Sequence, residues 1–302
     1  MEAGIIGLGR MGLNMARRLV AGGHRVVGFD RSAEAAAAAR KDGMEAASSI
    51  EELVTKLASP RLVWIMLPEG APVDGTIDAL KPLMSRGDMI VDGGNSYYKD
   101  DLRRAKELSA SGLVYMDAGV SGGIWGLKEG YCTMIGGPES GFEWMKPLLE
   151  TLAPPGGYMY CGASGAGHFV KMVHNGIEYG MMEAYAEGFE LLKASPYGEG
   201  IRNSELSALW NKGSVVRSWL LELLEDAFEK EDGLDSIIGY VEDSGEGRWM
   251  VKEGVDLNVA LPVITASLMR RFRSRQDESF GEKVLAALRE EFGGHGVKRG
   301  PK

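Results

Sequence analysis

The sequence predicts an α/β chain: a doubly wound, mostly parallel sheet at the N-terminus, followed by an all-helical C-terminal domain. Three observations carry this. Short apolar strands alternate with helical segments as far as residue 162. The first strand runs straight into Gly7-Leu8-Gly9-Arg10-Met11-Gly12 and then a helix. Beyond Gly165 only helical periodicity is legible. At 302 residues the chain can bury two cores, so residues 1–162 and 163–302 are expected as separate domains.

The composition, 44% hydrophobic and 25% charged, is that of an ordinary globular protein. A formal charge of −9 argues against nucleic acid and against an anionic membrane surface, so an anionic substrate needs a local basic pocket. Cys132 and Cys161 are too few for a disulfide framework and stand in no metal-ligand spacing. Both are expected reduced and buried. The four histidines form no metal-spaced pair, and no metal is expected. With no charged leader and no apolar run of membrane-spanning length, a cytoplasmic location is expected.

In chain order, residues 3–6 form an apolar strand, and Leu13, Ala16, Leu19 and Val20 keep helical spacing until Gly22-Gly23 stop it. Residues 24–30 form a second strand. In a chain with 43 glycines, GxGxxG alone says little; between a strand and a helix it says much. Glycines there permit a tight turn and close approach of a pyrophosphate, which sits on the helix N-terminus. The domain is therefore expected to be a Rossmann-type dinucleotide site, with Gly7, Leu8, Gly9, Arg10, Met11 and Gly12 against the phosphates. Asp30 ends the second strand, eighteen residues after Gly12, where a carboxylate accepts the adenosine ribose hydroxyls. A 2′-phosphate there meets like charge, so NAD is expected over NADP, although Arg31 could serve a 2′-phosphate or stack on adenine.

Further strands are read at 62–68, 89–96, 114–123, 131–137 and 158–162, with helices such as 49–57 and 98–111 between them. The strand ends Gly93-Gly94-Asn95-Ser96 and Val120-Ser121-Gly122-Gly123 fall at the carboxyl edge, where such sheets bind ligands. A long helix follows from Gly165 to about Ala194. On it Lys171, His174, Asn175, Glu178 and Tyr179 fall at i, i+3, i+4, i+7 and i+8 and share one face. Phe169, Val173, Ile177, Gly180 and Ala184 fall opposite and are expected as the buried side. The polar face is no alternating Glu/Lys surface. It carries an amine, an imidazole, an amide, a carboxylate and a phenol, with base and acid about 10 Å apart along the axis, which suits a multiply hydroxylated ligand. Later helices are expected at 204–210, 215–230, 235–240, 261–272 and 281–292, with 296–302 a frayed tail. His24 is expected to be structural, and His168 to lie on the cofactor side or in packing.

The stretches GLGRMGLNMARRL, VDGGNS, VSGG and GAGHFVKMVHNGIEYG resemble the signatures of the decarboxylating 6-phosphogluconate dehydrogenases over most of residues 4–190. The wider β-hydroxyacid dehydrogenases share the glycine turn, a VSGG-like loop and the Lys with a following Asn. The HNGIEYG run resembles the phosphogluconate branch. The resemblance implies conversion of 6-phosphogluconate to ribulose 5-phosphate and carbon dioxide with reduction of NAD. It implies Lys171 as general base and Glu178 as general acid. Asn95, Ser121, Gly122, Gly123, His174 and Asn175 would hold the sugar acid and the nicotinamide end, and Tyr179 and Arg271 the phosphate. Arg289 and His295 resemble a closing motif that reaches into a neighbouring subunit, so a homo-oligomer is implied.

Three departures stand out. The chain is much shorter than the long members and resembles the short type with a single helical domain. The family's Asn-Arg-Thr reads Asp30-Arg31-Ser32, again pointing to NAD. Where long members place a phosphate-binding Lys and Thr, this chain has Ser244 and Glu246, and a Glu beside a phosphate repels it. The chemistry is consistent from below. A lysine accepts a hydroxyl proton only as the neutral amine, which burial favours. Once protonated it polarises the β-keto acid for loss of carbon dioxide without a metal, and Glu178 is placed to protonate carbon 1 of the enediol. A dehydrogenase for a small 3-hydroxy acid of the hydroxyisobutyrate type would not need His174, Tyr179, Arg271, Arg289 and His295. A non-catalytic dinucleotide-binding regulator would not keep both Lys171 and Glu178.

Overall fold

The computed structural model describes residues 1–300; Pro301 and Lys302, the end of the expected tail, lie outside the described residues. The chain forms two compact units, Met1–His174 and the remainder from Asn175. The division falls inside the long helix, later than residue 162, because the first turns of that helix pack flush on the sheet. A Cβ built on Gly119 would lie 2.4 Å from Lys171 Cβ, and one on Gly167 would lie 2.4 Å from the Met134 carbonyl oxygen.

The first unit runs β1 (Glu2–Ile6), α1 (Arg10–Ala21), β2 (Arg25–Phe29), α2 (Ala33–Lys41), β3 (Glu45–Ala46), α3 (Ile50–Lys56), β4 (Leu62–Ile65) and α4 (Ala71–Leu80). It continues with β5 (Met89–Asp92), α5 (Tyr98–Ala110), β6 (Val114–Ser121), α6 (Gly126–Glu129), β7 (Cys132–Gly136), α7 (Glu139–Leu152), β8 (Tyr158–Gly162) and the start of α8 (Ala166–Ala194). The sheet order is β3-β2-β1-β4-β5-β6-β7-β8. Every neighbouring pair is parallel except β6 and β7, which run antiparallel. Strand order turns back between β1 and β4, and the crevice at that switch is where a doubly wound sheet takes its ligand.

Apolar runs make these strands because helices cover both faces. Alternate residues feed two cores. Ile5, Trp64, Val91 and Met116 pack with Met15, Leu19 and Leu149 on one face. Ile6, Val63, Ile90 and Tyr115 pack with Leu53, Ile77 and Leu108 on the other. Local chemistry sets the helix starts: Ser49 accepts from the Glu52 amide, and Ser32 accepts from the Ala35 amide. The two-residue β3 is too short to leave a pattern. The cysteines correct the expectation of burial, since Cys132 is exposed at the start of β7 and Cys161 half-buried; both are free.

The second unit is helical: the rest of α8, then α9 (Asn203–Trp210), α10 (Trp219–Lys230), α11 (Glu246–Asp256), α12 (Pro262–Ser274) and α13 (Phe280–Gly293). Phe189, Leu221 and Phe228 form its buried cluster, with Tyr185 and Trp210 against them. α10 begins at its Ser218 cap rather than at residue 215. The helix expected over Asp235–Tyr240 does not form; Ile237 and Ile238 there are exposed, with no surface to bury them. α11, which is not among the expected helices, starts behind Gly245, whose φ of 99° suits glycine.

The burial of α8 also differs from expectation. Ile177 is 51% exposed and Ala184 is exposed, whereas Met172, Gly176 and Tyr179 are inside. Gly176 admits this, because a Cβ there would lie 2.0 Å from Met250 Sδ. Helical period finds the polar line, but close approach at glycine decides which edge of it is buried. No helix among the described residues is long and apolar enough to cross a membrane.

Candidate active site

At the β1–β4 switch, Gly7 has φ of 95°, and a Cβ there would lie 2.4 Å from the Met66 carbonyl oxygen. A Cβ on Gly12 would lie 2.0 Å from the Gly7 oxygen, so α1 starts pressed against the turn. Around Gly9 nothing lies within 4 Å, and as N-cap of α1 it makes no side-chain cap. Open access, a helix start with uncapped amides and an acceptor at the end of β2 fit a pyrophosphate and ribose. That acceptor, Asp30, takes the Leu8 N–H at 2.7 Å and the Ser32 N–H at 2.8 Å. It therefore positions the glycine loop. Arg10, Arg31 and Ser32 are exposed beside it, and Met11 is half-buried.

The two strand ends expected at the carboxyl edge do meet. Asn95, at φ of 55°, donates from Nδ2 to the Val120 oxygen at 3.2 Å and accepts the Val120 N–H at 2.9 Å. One amide side chain thus extends the sheet ladder past β5. Gly122 (φ 127°) and Gly123 (φ 50°) then turn the chain away after Ser121. Ser121 Oγ lies 3.5 Å from His174 Nε2, and His174 Nδ1 lies 3.4 Å from Lys171 Nζ. Lys171 itself is only 5% exposed. The first unit therefore gathers Asn95, Ser121, Lys171 and His174, with the imidazole between hydroxyl and amine. Sequence spacing placed His174 beside Lys171 but gave no sign of its contact with Ser121.

In the second unit, Asn175 and Glu178 are half-buried on α8, and Tyr179 is buried. The Tyr179 hydroxyl accepts the Ser244 N–H at 3.1 Å, and its ring lies under the Arg271 guanidinium, 3.5 Å from Cζ to ring centroid. Arg271 also donates to the Glu242 oxygen at 2.9 Å. Tyr179, Arg270, Arg271 and Arg273 line a cavity of about 630 Å³ shared with Glu183 and Glu190. Glu246 is buried at the first turn of α11 and accepts the Ser244 hydroxyl. Its charge meets the positive end of a helix, which favours it. Arg248 is engaged by Asp243 at 2.6 Å and stacks on Phe272, and Arg275 holds the same carboxylate at 3.0 Å. Those hydrogen bonds, Arg248's foremost, hold Asp243 below the usual carboxylate range.

Arg289 and His295 are not brought to Tyr179. Both are exposed, on the last turns of α13 and just past it, where Gly294 closes the helix in the left-handed conformation.

One constellation escaped sequence reading. Asp92, Asp101, Arg104, Tyr115, Asp117 and His168 form a buried polar hub, each at most 2% exposed. Asp92 accepts from the Gly94 N–H at 2.9 Å, Ser96 Oγ at 2.6 Å and Arg104 at 3.0 Å. Asp101 accepts from Tyr115 at 2.7 Å and lies 2.8 Å from His168 Nδ1. Asp117 accepts the Gly165 and His168 N–H groups at 2.7 and 3.0 Å, capping α8. Burial raises the Asp101 carboxyl to about 6, against the pull of His168. Burial opposes charge on His168 too, but the facing carboxylates, Asp101 first, win and raise it to about 9. The signal available in the sequence was a carboxylate ending each of two apolar runs, MIVD and VYMD.

Comparison with known proteins agrees with this geometry. The NAD binding domain of 6-phosphogluconate dehydrogenase matches residues 2–163, and the 6-phosphogluconate dehydrogenase C-terminal domain matches residues 167–292. The NAD(+)-dependent, decarboxylating 6-phosphogluconate dehydrogenase of Haloferax volcanii is 44% identical over 301 residues, covering 99% of each chain. The NADP(+)-dependent, decarboxylating enzyme of Bacillus subtilis is 39% identical over 300 residues, covering 95% of this chain and 63% of its own. The Plasmodium falciparum 6-phosphogluconate dehydrogenase, solved apo, with NADP+ and with 6-phosphogluconate, superposes with a TM-score of 0.82 at 28% identity, over 100% of this chain and 67% of its own. With a glycine turn, a Ser–His–Lys cluster and an Arg over a buried Tyr in place, and both family domains matched, the chain belongs to the 6-phosphogluconate dehydrogenase family.

Proposed function

We propose that this chain oxidises and decarboxylates 6-phosphogluconate to ribulose 5-phosphate and carbon dioxide, with NAD preferred over NADP. The observation that carries this is Lys171, buried and in reach of His174, whose second nitrogen faces Ser121. The dinucleotide, held by Gly7 to Gly12 and Asp30, supplies a hydride acceptor. Lys171 takes the proton of the C3 hydroxyl, and His174 and Ser121 hold that hydroxyl and relay charge. Asn95, Gly122, Gly123 and Asn175 orient the sugar acid. Protonated Lys171 polarises the resulting ketone as carbon dioxide leaves, and Glu178 delivers the proton to carbon 1. Tyr179 and Arg271 take the phosphate, where a guanidinium binds bidentately and each charge-assisted bond is about twice as strong as a neutral one. Two free cysteines support a reducing, cytoplasmic setting.

Steady-state rates with 6-phosphogluconate and each dinucleotide, with carbon dioxide followed in parallel, test the reading; absence of turnover with both would overturn it. Asp30→Ser is expected to narrow the gap between NAD and NADP by relieving like-charge repulsion. Because Asp30 also holds the Leu8 and Ser32 amides, the same change should lower kcat/KM with NAD by roughly tenfold or more, at about 1.5–3 kcal/mol for a hydrogen bond to a charge. A wild-type enzyme more efficient with NADP would hand the deciding role to Arg31.

The working assembly is a homo-oligomer in which Arg289 and His295 complete a neighbouring copy's phosphate site. α13 supports this: it has no buried residue and leaves Phe280, Leu285, Leu288 and Phe292 exposed. Complementation tests it. One chain dead at Lys171 and another dead at Arg289, refolded together, should regain activity, since mixed assemblies then contain a site with both residues intact. A mixture as inactive as its parents would place the tail in its own chain's site.

A further inference from the structure

We propose that His168 is a positioning residue: through its bond to Asp101 it locks the helix carrying Lys171 and the turn carrying Asn95 into one rigid frame. This rests on Lys171 being the base, as proposed above. The connection is continuous within the first unit. Lys171 stands one turn beyond His168 on α8. His168 Nδ1 reaches Asp101 at 2.8 Å, and Asp101 takes the Tyr115 hydroxyl at 2.7 Å. That hydroxyl also lies 3.3 Å from Asp92, which holds the Gly94 N–H and Ser96 Oγ on either side of Asn95. Asp92 and Asp117 are register partners on β5 and β6, so the group that fixes the Asn95 turn stands beside the one that caps α8. Two elements that must present a substrate-orienting residue and a proton acceptor to the same substrate thus hang on one hub.

Stability alone is a poor explanation of that hub. Buried charges of this kind are often matched or exceeded by well-packed apolar residues. Arg104 Nη2 and His168 Nε2 also have no hydrogen-bond partner among the described residues, an arrangement that opposes folding. Nor do the carboxylates stand open to a cation: although ligand atoms of Asp92, Asp101 and His168 lie within 4.8 Å of one another, Arg104 and Tyr115 already occupy their lone pairs. Rigid placement of the two reacting elements is what the hub supplies. A misplacement of about 1 Å is enough to slow a reaction about 10²-fold.

The test compares His168→Phe, which removes the bond to Asp101, with His168→Asn, whose amide nitrogen stands where Nδ1 does. Folded sites are counted by dinucleotide titration, and kcat is measured with 6-phosphogluconate carrying hydrogen or deuterium at C3. His168→Phe is expected to lower kcat per site by roughly 10- to 100-fold, to raise the deuterium isotope effect as C–H cleavage becomes limiting, and to leave dinucleotide affinity within about twofold. His168→Asn should recover most of that loss. A merely structural role lowers the melting temperature and the number of sites, but not the rate or isotope effect per site. Wild-type values per site in His168→Phe would overturn the proposal, and so would His168→Asn performing no better than Phe. If His168→Phe does not fold, Tyr115→Phe decides, since it deletes one hydroxyl: a raised isotope effect supports the frame, and an unchanged one overturns it. Either failure leaves the function itself standing, because the wild type and the Lys171 variant report on that separately.

Discussion

Lys171→Met is expected to abolish nearly all oxidation of 6-phosphogluconate, by about 10⁴-fold, at the upper end of what a positioned acid or base contributes. The upper end is appropriate because the proposed mechanism gives one amine two steps, taking the hydroxyl proton and then, once protonated, polarising the ketone. Methionine is the informative replacement. Lys171 is buried, and its Cβ and Cγ would lie 2.4 and 3.1 Å from a Cβ at Gly119, so the stem packs directly on β6. Methionine keeps that stem and its volume and removes only the amine, so the variant should fold and bind dinucleotide as the wild type does. Near-normal turnover would require another base. Activity lost to a chelator and restored by a divalent cation would point instead to a metal-assisted route.

Glu178→Gln is the second large effect. Turnover should fall by roughly 10²–10⁴-fold with dinucleotide binding intact. The glutamine keeps the shape and hydrogen-bonding span of the carboxyl but carries no proton to give. Glu178 lies two helical turns beyond Lys171, about 10 Å along the axis, so it can reach a different carbon of the substrate. If its role is the protonation of carbon 1, the loss should fall on the steps after hydride transfer. The first-turnover burst of reduced dinucleotide should then survive while steady-state turnover collapses. Loss of the burst as well would give Glu178 a part in the oxidation itself.

Between them these residues show what a sequence determines. The glycine turn, the Asp at the end of β2, the two strand ends and the polar line along α8 were legible because each is a local pattern. Glycine spacing, strand termini and a 3.6-residue period belong to neighbours in the chain, and short-range sterics fix them. The meeting of Asn95 with Val120 was foreseeable in kind, since both stretches end strands at the carboxyl edge.

Tertiary structure decided the rest, and each time the reason was contact across chain distance. Which edge of α8 is buried depends on where Gly176 lets Met250 approach, so Ile177, apolar and in phase, is exposed. Asp235–Tyr240, with an Asp, a Ser, two β-branched Ile and a Gly in six residues, has weak helix propensity and nothing to pack against, whereas Glu246–Asp256 follows a glycine turn and does form a helix. Glu246, which by charge alone opposes a phosphate, is instead turned into a helix start and bonded by Ser244. The hub of Asp92, Asp101, Arg104, Asp117 and His168 draws on β5, α5, β6 and α8, up to 76 residues apart from Asp92 to His168. No local window contains such a cluster, because a buried charge is tolerated only where distant partners supply the counter-charge and hydrogen bonds that water no longer gives.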